Sequence, residues 1–458
     1  MKKIINVLIV VVFAVGLFSC SKDALNPTLA QQKSVNITTM SYLKSLLNGA
    51  YWRMVNYHYY GRDYILYGEV RSDQCYSNGS SGRFLTPASM DMGDGDGYAY
   101  GTWLQMYRVI SNANLIIKQD PAKITGASAA AINQVMGQAY ALRAWVHFDL
   151  LKLYGEENAG GTLGVPYLTS SKDLTPSRGT VVQNRDSIQA DLTKALSLMT
   201  TAQNGSNVYI STWAVWALKS RVDLYFGNYS ATISDCEKVI NSGKYSIISA
   251  GNYASTWTTP SSPNIIFQLA QSGTVNQGIN GLSYMYRGAD YGDVAARPGF
   301  DTIFGATDVR GAADMIGYET NSKGTFLRNI GKYPTNPSFN YDIPLIRYEE
   351  VILNYAEALY RTGKTTDALT WLNKIPANRD ASLYTTVNEA NILMERQKEL
   401  CFEGFAFDDV CRTHGSVQIM NTGALITGTA KWGDYNFAFP IPLAEMNANP
   451  NMVQNKGY

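Results

Sequence analysis

The sequence predicts a mainly α-helical protein, a scaffold of paired helices interrupted by long loops. Three observations point there. Long stretches rich in Ala, Leu and Met run without internal proline. Two of them carry the helix, glycine turn, helix rhythm of a repeat. The segments between are rich in Gly, Ser, Thr, Asn and Tyr, and loops longer than about 15 residues are usually functional or disordered.

The chain opens "MKKIINVLIVVVFAVGLFSC". Lys2 and Lys3 precede an apolar run from Ile4 to Phe18. As a helix that run would reach roughly 22 Å, short of the roughly 30 Å hydrocarbon core of a bilayer. A basic start, a short apolar stretch and a small residue before the cut make residues 1–19 a secretory signal. "LFSC" resembles the bacterial lipobox, so Cys20 is the expected lipidation site and 20–35 a lipidated linker. More than one acyl chain, at about 0.8 kcal/mol per buried methylene, would hold such an anchor. No later apolar run is long enough to span, so the mature protein is expected to be soluble but tethered.

Helical patterning then covers about 40–242 and 343–415 of a single domain, 36–458. "SYLKSLLNGAYWRMV", "TWLQMYRVISNANLIIK" and "ASAAAINQVMGQAYALRAWVHFDLLKLYG" come first. The last is apolar nearly all round, as a helix buried on several sides should be. "NRDSIQADLTKALSLM", "STWAVWALKSRVDLYFGNYSATISDCEKVI" and "IPLIRYEEVILNYAEALYRTGKTTDALTWLNKI" follow. In "LYFGNYSATIS" and "LYRTGKTTDALTWL" two helices meet at a Gly, like tetratricopeptide pairs, with Gly227 and Gly363 permitting the left-handed helix stop. Five residues on, the repeat wants a small side chain. Ala368 fits; Thr232 departs. Some 440 mature residues exceed the usual size of one compact core, and a helical repeat escapes that limit because each unit packs only on its neighbours.

Charge excludes one function class. The chain has 38 basic and 37 acidic residues. Without Lys2 and Lys3, 36 face 37, a net charge of −1. That leaves no electrostatic footprint for nucleic acid. Cys75, Cys236, Cys401 and Cys411 show no CxxC spacing, and His58, His147 and His414 are the only histidines, which argues against zinc. Cys236 and Cys401 read as small core hydrophobes. A disulfide between any pair stays open in an exported protein. Tyrosine is the compositional outlier, with 31 residues. A flat apolar face with a polar tip suits a wet binding surface, but large helical proteins also use Tyr at helix contacts.

The segment "NILMERQKELCFEGFAFDDVCR" raises a chemical question, because Glu395, Glu399, Glu403, Asp408 and Asp409 fall within fifteen residues. A glycosidase needs two carboxylates about 5–5.5 or 6.5–9.5 Å apart, flanking a bond. On a helix Glu395, Glu399 and Glu403 share one face and point the same way. Structural ion pairing is the better reading, with no catalytic residues, and Arg347, Glu349 and Glu350 form a comparable cluster elsewhere. In "DMGDGDGY", Asp91, Asp94 and Asp96 are calcium candidates, but the spacing and the missing Glu favour a plain Asp/Gly turn. No other cofactor is expected.

Four segments in order resemble the SusD/RagB family, surface lipoproteins of Bacteroidetes nutrient-uptake systems: "AYALRAWVHFDLLKLYG", "IPLIRYEEVILNYAEAL", the Glu399 segment above, and the tail "FPIPLAEMNANPNMVQNKGY". With the lipobox the match runs from Cys20 to the end. Ala406 stands where the family usually has Arg, which puts one ion pair in doubt. The resemblance implies a SusD-like fold, with four tetratricopeptide-like helix pairs carrying loops that form the ligand surface. It also implies a protein at the exterior of the cell outer membrane that captures oligosaccharides, or peptides in some branches, for a SusC-like TonB-dependent transporter. A glycan-cleaving enzyme is the remote alternative.

Two regions, about 75–100 and 243–342, would form that ligand face. Trp103 begins a helix and reads as core. Tyr98 and Tyr100 precede it, where the family often places a ligand-facing aromatic. "YMYRGADYGDVAARP" supplies Tyr284, Tyr286, Arg287 and Tyr291. A strand would put the rings of Tyr284 and Tyr286 on one side. These six residues are the candidate ligand contacts, on two loops expected to meet on one exposed face.

Overall fold

The structure is a computed structural model and describes residues 37–170, 173–259, 262–287, 291–334 and 341–458. Cys20 and the signal segment lie outside the described residues. Helix α1 (Met40–Met54) starts where the Thr39 hydroxyl accepts from the Tyr42 N–H, and it buries Leu43, Leu47, Ala50 and Met54 at helical spacing. A short helix, α2 (Asp63–Val70), is buried along its whole length. Strand β1 (Cys75–Ser77) and helix α3 (Leu85–Ser89) interrupt the first long loop.

Helix α4 (Gly97–Ile117) begins six residues before Trp103, because the Asp96 carboxylate caps it by accepting from the Tyr98 N–H at 2.7 Å. Tyr98 and Tyr100 are therefore first-turn residues and not loop residues. Trp103 is buried, as expected. Helix α5 (Ala129–Tyr154) is sunk on nearly every side from Ile132 onward. Helix α6 (Val181–Leu198) is opened by a capping box between Thr180 and Gln183. Helices α7 (Thr212–Tyr225) and α8 (Tyr229–Ile240) form the first predicted glycine-turned pair.

The second Gly-rich region holds strand β2 (Ile265–Leu269), helix α9 (Leu282–Arg287), strand β3 (Val294–Ala296) and a hairpin of β4 (Ile316–Asn321) and β5 (Gly324–Asn329). Residues Ile343–Arg347, expected to be helical, form strand β6 antiparallel to β2. Then come α10 (Tyr348–Arg361), α11 (Thr365–Leu372), α12 (Lys374–Ala377), α13 (Glu389–Leu400) and α14 (Ala406–Arg412). A hairpin of β7 (Ser416–Met420) and β8 (Ile426–Lys431) and the short α15 (Leu443–Ala448) finish the chain.

The helices stack in sequence. α1 lies on α4, α4 on α5, α5 on α6, α6 on α7, α7 on α8, α8 on α10 and α10 on α11. These are four consecutive pairs, each packed on the next, so the scaffold is the predicted repeat. Gly227 and Gly363 both turn at positive φ, +73° and +79°. Thr232 and Ala368 are both fully buried at the helix contacts. The Thr hydroxyl is accommodated by donating to the Asn228 carbonyl.

The tyrosine excess serves the core as much as the surface. The hydroxyls of Tyr59, Tyr60 and Tyr64 all donate to the buried Asp149 carboxylate, at 2.6, 2.7 and 2.6 Å. Cys75, Cys236, Cys401 and Cys411 are each buried and unbridged. Among the described residues no helix is long and apolar enough to cross a membrane.

The acidic cluster is scaffold. The ion-pair partners of Glu395, Glu399 and Glu403 do not lie along their own helix. Glu399 accepts from Arg347 and Arg379, both at 2.9 Å, and from Arg310 at 3.3 Å. Glu395 accepts from Arg310 at 2.6 Å, and Glu403 from Arg347 and Lys332, both at 2.7 Å. Arg347 and Glu349, read as a separate cluster, belong to this same network. Every one of these side chains is sealed from solvent, so no substrate reaches the carboxylates. Ala406 lines a pocket of about 210 Å³ beside Arg396 and Asp409. Asp409 draws its ion pairs from Arg396 at 2.9 Å and Arg412 at 2.8 Å.

Candidate functional site

The two Tyr-rich regions do meet, and backbone pairing brings them together. β1 and β3 run antiparallel with Tyr76 opposite Ala295. Beyond their ends the Asn78 amide donates to the Gly292 carbonyl at 2.8 Å. The buried Asp293 accepts from the backbone N–H of Ser81 (2.7 Å) and Arg83 (3.1 Å) and from the Ser81 hydroxyl (2.6 Å). That carboxylate ties down a loop which would otherwise expose three unmatched donors.

Side chains converge on the surface this creates. The Arg83 guanidinium lies 4.6 Å from the centre of the Tyr291 ring, and Tyr291 meets Tyr284 edge to face at 5.8 Å. Arg83 also donates to the Asn280 amide oxygen at 3.4 Å. Arg62 reaches the same oxygen from below at 3.3 Å, held between the rings of Tyr57 (4.8 Å) and Phe84 (5.5 Å). Tyr57, Tyr284 and Tyr291 are each half-buried. Half-buried rings beside a guanidinium set flat apolar surface next to hydrogen-bond donors. Asn321, at the tip of the β4–β5 hairpin, touches Ser80 at 3.4 Å and closes the edge of the patch.

The six sequence-based candidates divide. Tyr284 and Tyr291 stand in the patch. Tyr286 does not: residues 282–287 are helical, not extended, so two-residue spacing turns its ring to the other side. It is 1% exposed and its hydroxyl donates to the Phe402 carbonyl. Arg287 is paired with Glu319 at 2.7 Å and also donates to the Ile330 carbonyl, so it pins the hairpin. The Tyr98 ring lies tilted against Phe84 (5.0 Å), and its hydroxyl accepts from the Phe84 N–H, which makes it a support for the loop. Tyr100 is 44% exposed and lines a different pocket of about 370 Å³ with Tyr107 and Glu445.

Asp96 spends its carboxylate on the cap and on the Thr86 hydroxyl at 2.6 Å. Among the described residues no three His, Cys, Asp or Glu side chains gather as a metal site would require. Arg62, Arg83, Asn280 and Tyr57 were not legible as site residues. Arg83, in "SSGRFL" within the first long loop, is the one whose position could have drawn notice.

Comparison with known proteins agrees with this architecture. A family model described as "SusD family" matches residues 311–458, and one described as "Starch-binding associating with outer membrane" matches 25–224. A crystal structure of a putative sugar binding protein from Bacteroides vulgatus superposes with a TM-score of 0.83 at 27% identity, covering 92% of this chain and 99% of that one. SusD-like protein P2 of Formosa agariphila is 24% identical over 98% of each chain. The starch-binding protein SusD of Bacteroides thetaiotaomicron is 31% identical over 34% of this chain and 28% of its own. The two models cover the first and last parts of one continuous helical scaffold, and the chain belongs to the SusD/RagB family.

Proposed function

We propose that this protein binds oligosaccharides on the patch of Tyr57, Tyr284, Tyr291 and Arg83, and hands them to a SusC-like TonB-dependent transporter in the outer membrane. It does so as a lipoprotein anchored through Cys20 and facing the cell exterior. One observation carries the reading: two loops, far apart in sequence, are tied together so that half-buried rings gather beside the Arg83 and Arg62 guanidinium groups. The axial C–H face of a sugar packs on such rings, while amide and guanidinium groups meet its hydroxyls. The family match and the relatives named for starch and sugar binding support it.

The test is calorimetric titration with a glycan panel, followed by Tyr291→Ala with whichever glycan binds. Losing one stacking ring should cost on the order of 1–3 kcal/mol, by analogy with bases on aromatics. That is roughly tenfold or more in Kd. The melting temperature should hold, since the ring is half-exposed. Wild-type affinity in the variant would move the site elsewhere. New reducing ends would favour an enzyme, and binding only to peptides would favour the peptide branch.

A further inference from the structure

Two guanidinium groups on this patch share one neutral acceptor. Arg62 and Arg83 both donate to the Asn280 amide oxygen, at 3.3 and 3.4 Å, long for charge-assisted bonds. Arg62 has a carboxylate of its own, Asp63, at 2.6 Å. Among the described residues Arg83 has only neutral hydrogen-bond partners: the Ser81 hydroxyl at 2.8 Å and the Asn280 amide. Asp293 reaches the Arg83 guanidinium only through that hydroxyl, its oxygens being occupied by Ser81 and the loop N–H groups. Of the described carboxylates on this side, Glu319 is paired with Arg287 and Asp63 with Arg62 and His58. Among the described residues no carboxylate pairs with Arg83.

The rings of Tyr57 and Tyr291 flank this pair, each against one guanidinium. A planar fork with unfilled donors matches a carboxylate or sulfate in a bidentate way. The rings on either side would take the sugar that carries it. Building on the oligosaccharide reading above, we infer that the ligand is an anionic oligosaccharide, its carboxylate or sulfate ester received by the half-buried Arg83 at Asn280, with the buried Arg62 holding the Asn280 amide in place. A neutral glucan would leave the Arg83 fork with hydroxyls alone and its charge unmatched.

The experiment uses the full mature chain and three probes: trigalacturonate for the carboxylate, a sulfated carrageenan tetrasaccharide for the sulfate ester, and maltotriose as the neutral arm. One anionic probe should bind at least tenfold more tightly than maltotriose, and its Kd should rise with salt because the contact is ionic. Arg83→Gln should weaken that binding tenfold or more. Asn280→Asp should do the same from the opposite direction, since its own carboxylate would sit where the ligand's belongs. That variant should melt no lower than wild type, which separates lost binding from lost folding. Maltotriose bound as tightly as the anions, with Arg83→Gln and Asn280→Asp indifferent, would overturn the inference and leave the oligosaccharide reading standing. No binding in any arm or across the wider glycan panel would overturn both.

Discussion

Replacing Glu399 with Gln removes one oxygen from the centre of the buried network. The wild-type carboxylate accepts from Arg347, from Arg379 through two nitrogens, and from Arg310, at 2.9 to 3.3 Å, with its side chain 0% exposed. In the variant an amide NH₂ takes the place of one oxygen and faces guanidinium donors, leaving buried cations unmatched. Breaking a buried pair by neutralising one partner costs about 3–5 kcal/mol. At about 2.1 cal/mol/K per residue, roughly 400 cooperatively unfolding residues carry about 0.8 kcal/mol/K, so Tm should fall by about 4–6 °C.

The loss should depend on pH. Burial alone would raise the Glu399 carboxyl pKa, but Arg379, Arg347 and Arg310 outweigh it and hold the group well below the usual carboxylate range. A folded pKa below the unfolded value of about 4.3 stabilises the protein above that value, and the stabilisation is lost as pH falls toward the folded one. The gap between wild type and variant should therefore close in acid below about pH 4. Scanning calorimetry from pH 3 to 8 measures it, with Asp186→Asn, at an exposed pair with Arg185, as the control expected to move Tm by less than about 1 °C. Glycan affinity should not change. An unchanged Tm with abolished binding would refute the scaffold assignment and return this cluster to the ligand.

Two other predictions use groups outside the patch. Cys20→Ala should abolish incorporation of labelled palmitate and release the protein from membranes; a wild-type chain that takes up no label would end the lipoprotein reading. Burial pushes the Glu69 carboxyl up to about 7, against the lowering effect of backbone N–H groups that include Gly404 at 2.7 Å. Because the folded value lies above the unfolded one, this group costs stability as pH rises from about 4.3 to about 7. Glu69→Gln should therefore gain on wild type in Tm across that window and level off above it, and a difference independent of pH would refute the assignment.

The sequence alone determined whatever local spacing can express. The all-round apolar run of α5, the glycine stops at Gly227 and Gly363, and the burial of Trp103 follow from side-chain periodicity and from backbone conformations that only a few residue types adopt cheaply. The stacking of successive pairs was equally readable, because a repeat contacts its sequence neighbours. Tertiary structure decided what depends on distant partners. Glu399 looked like one member of a row on its own helix, yet its counter-ions come from Arg347, 52 residues away, and from Arg310, 89 away. Spacing by two could not tell a strand from a short helix at Tyr284 and Tyr286, and that difference buried one ring and left the other half-open. Arg62, Arg83 and Asn280 meet only because β1 pairs with β3 across more than 200 residues. A helix writes its neighbours into the sequence every three or four residues. A surface built where two loops cross is written nowhere until the backbone hydrogen bonds between them have formed.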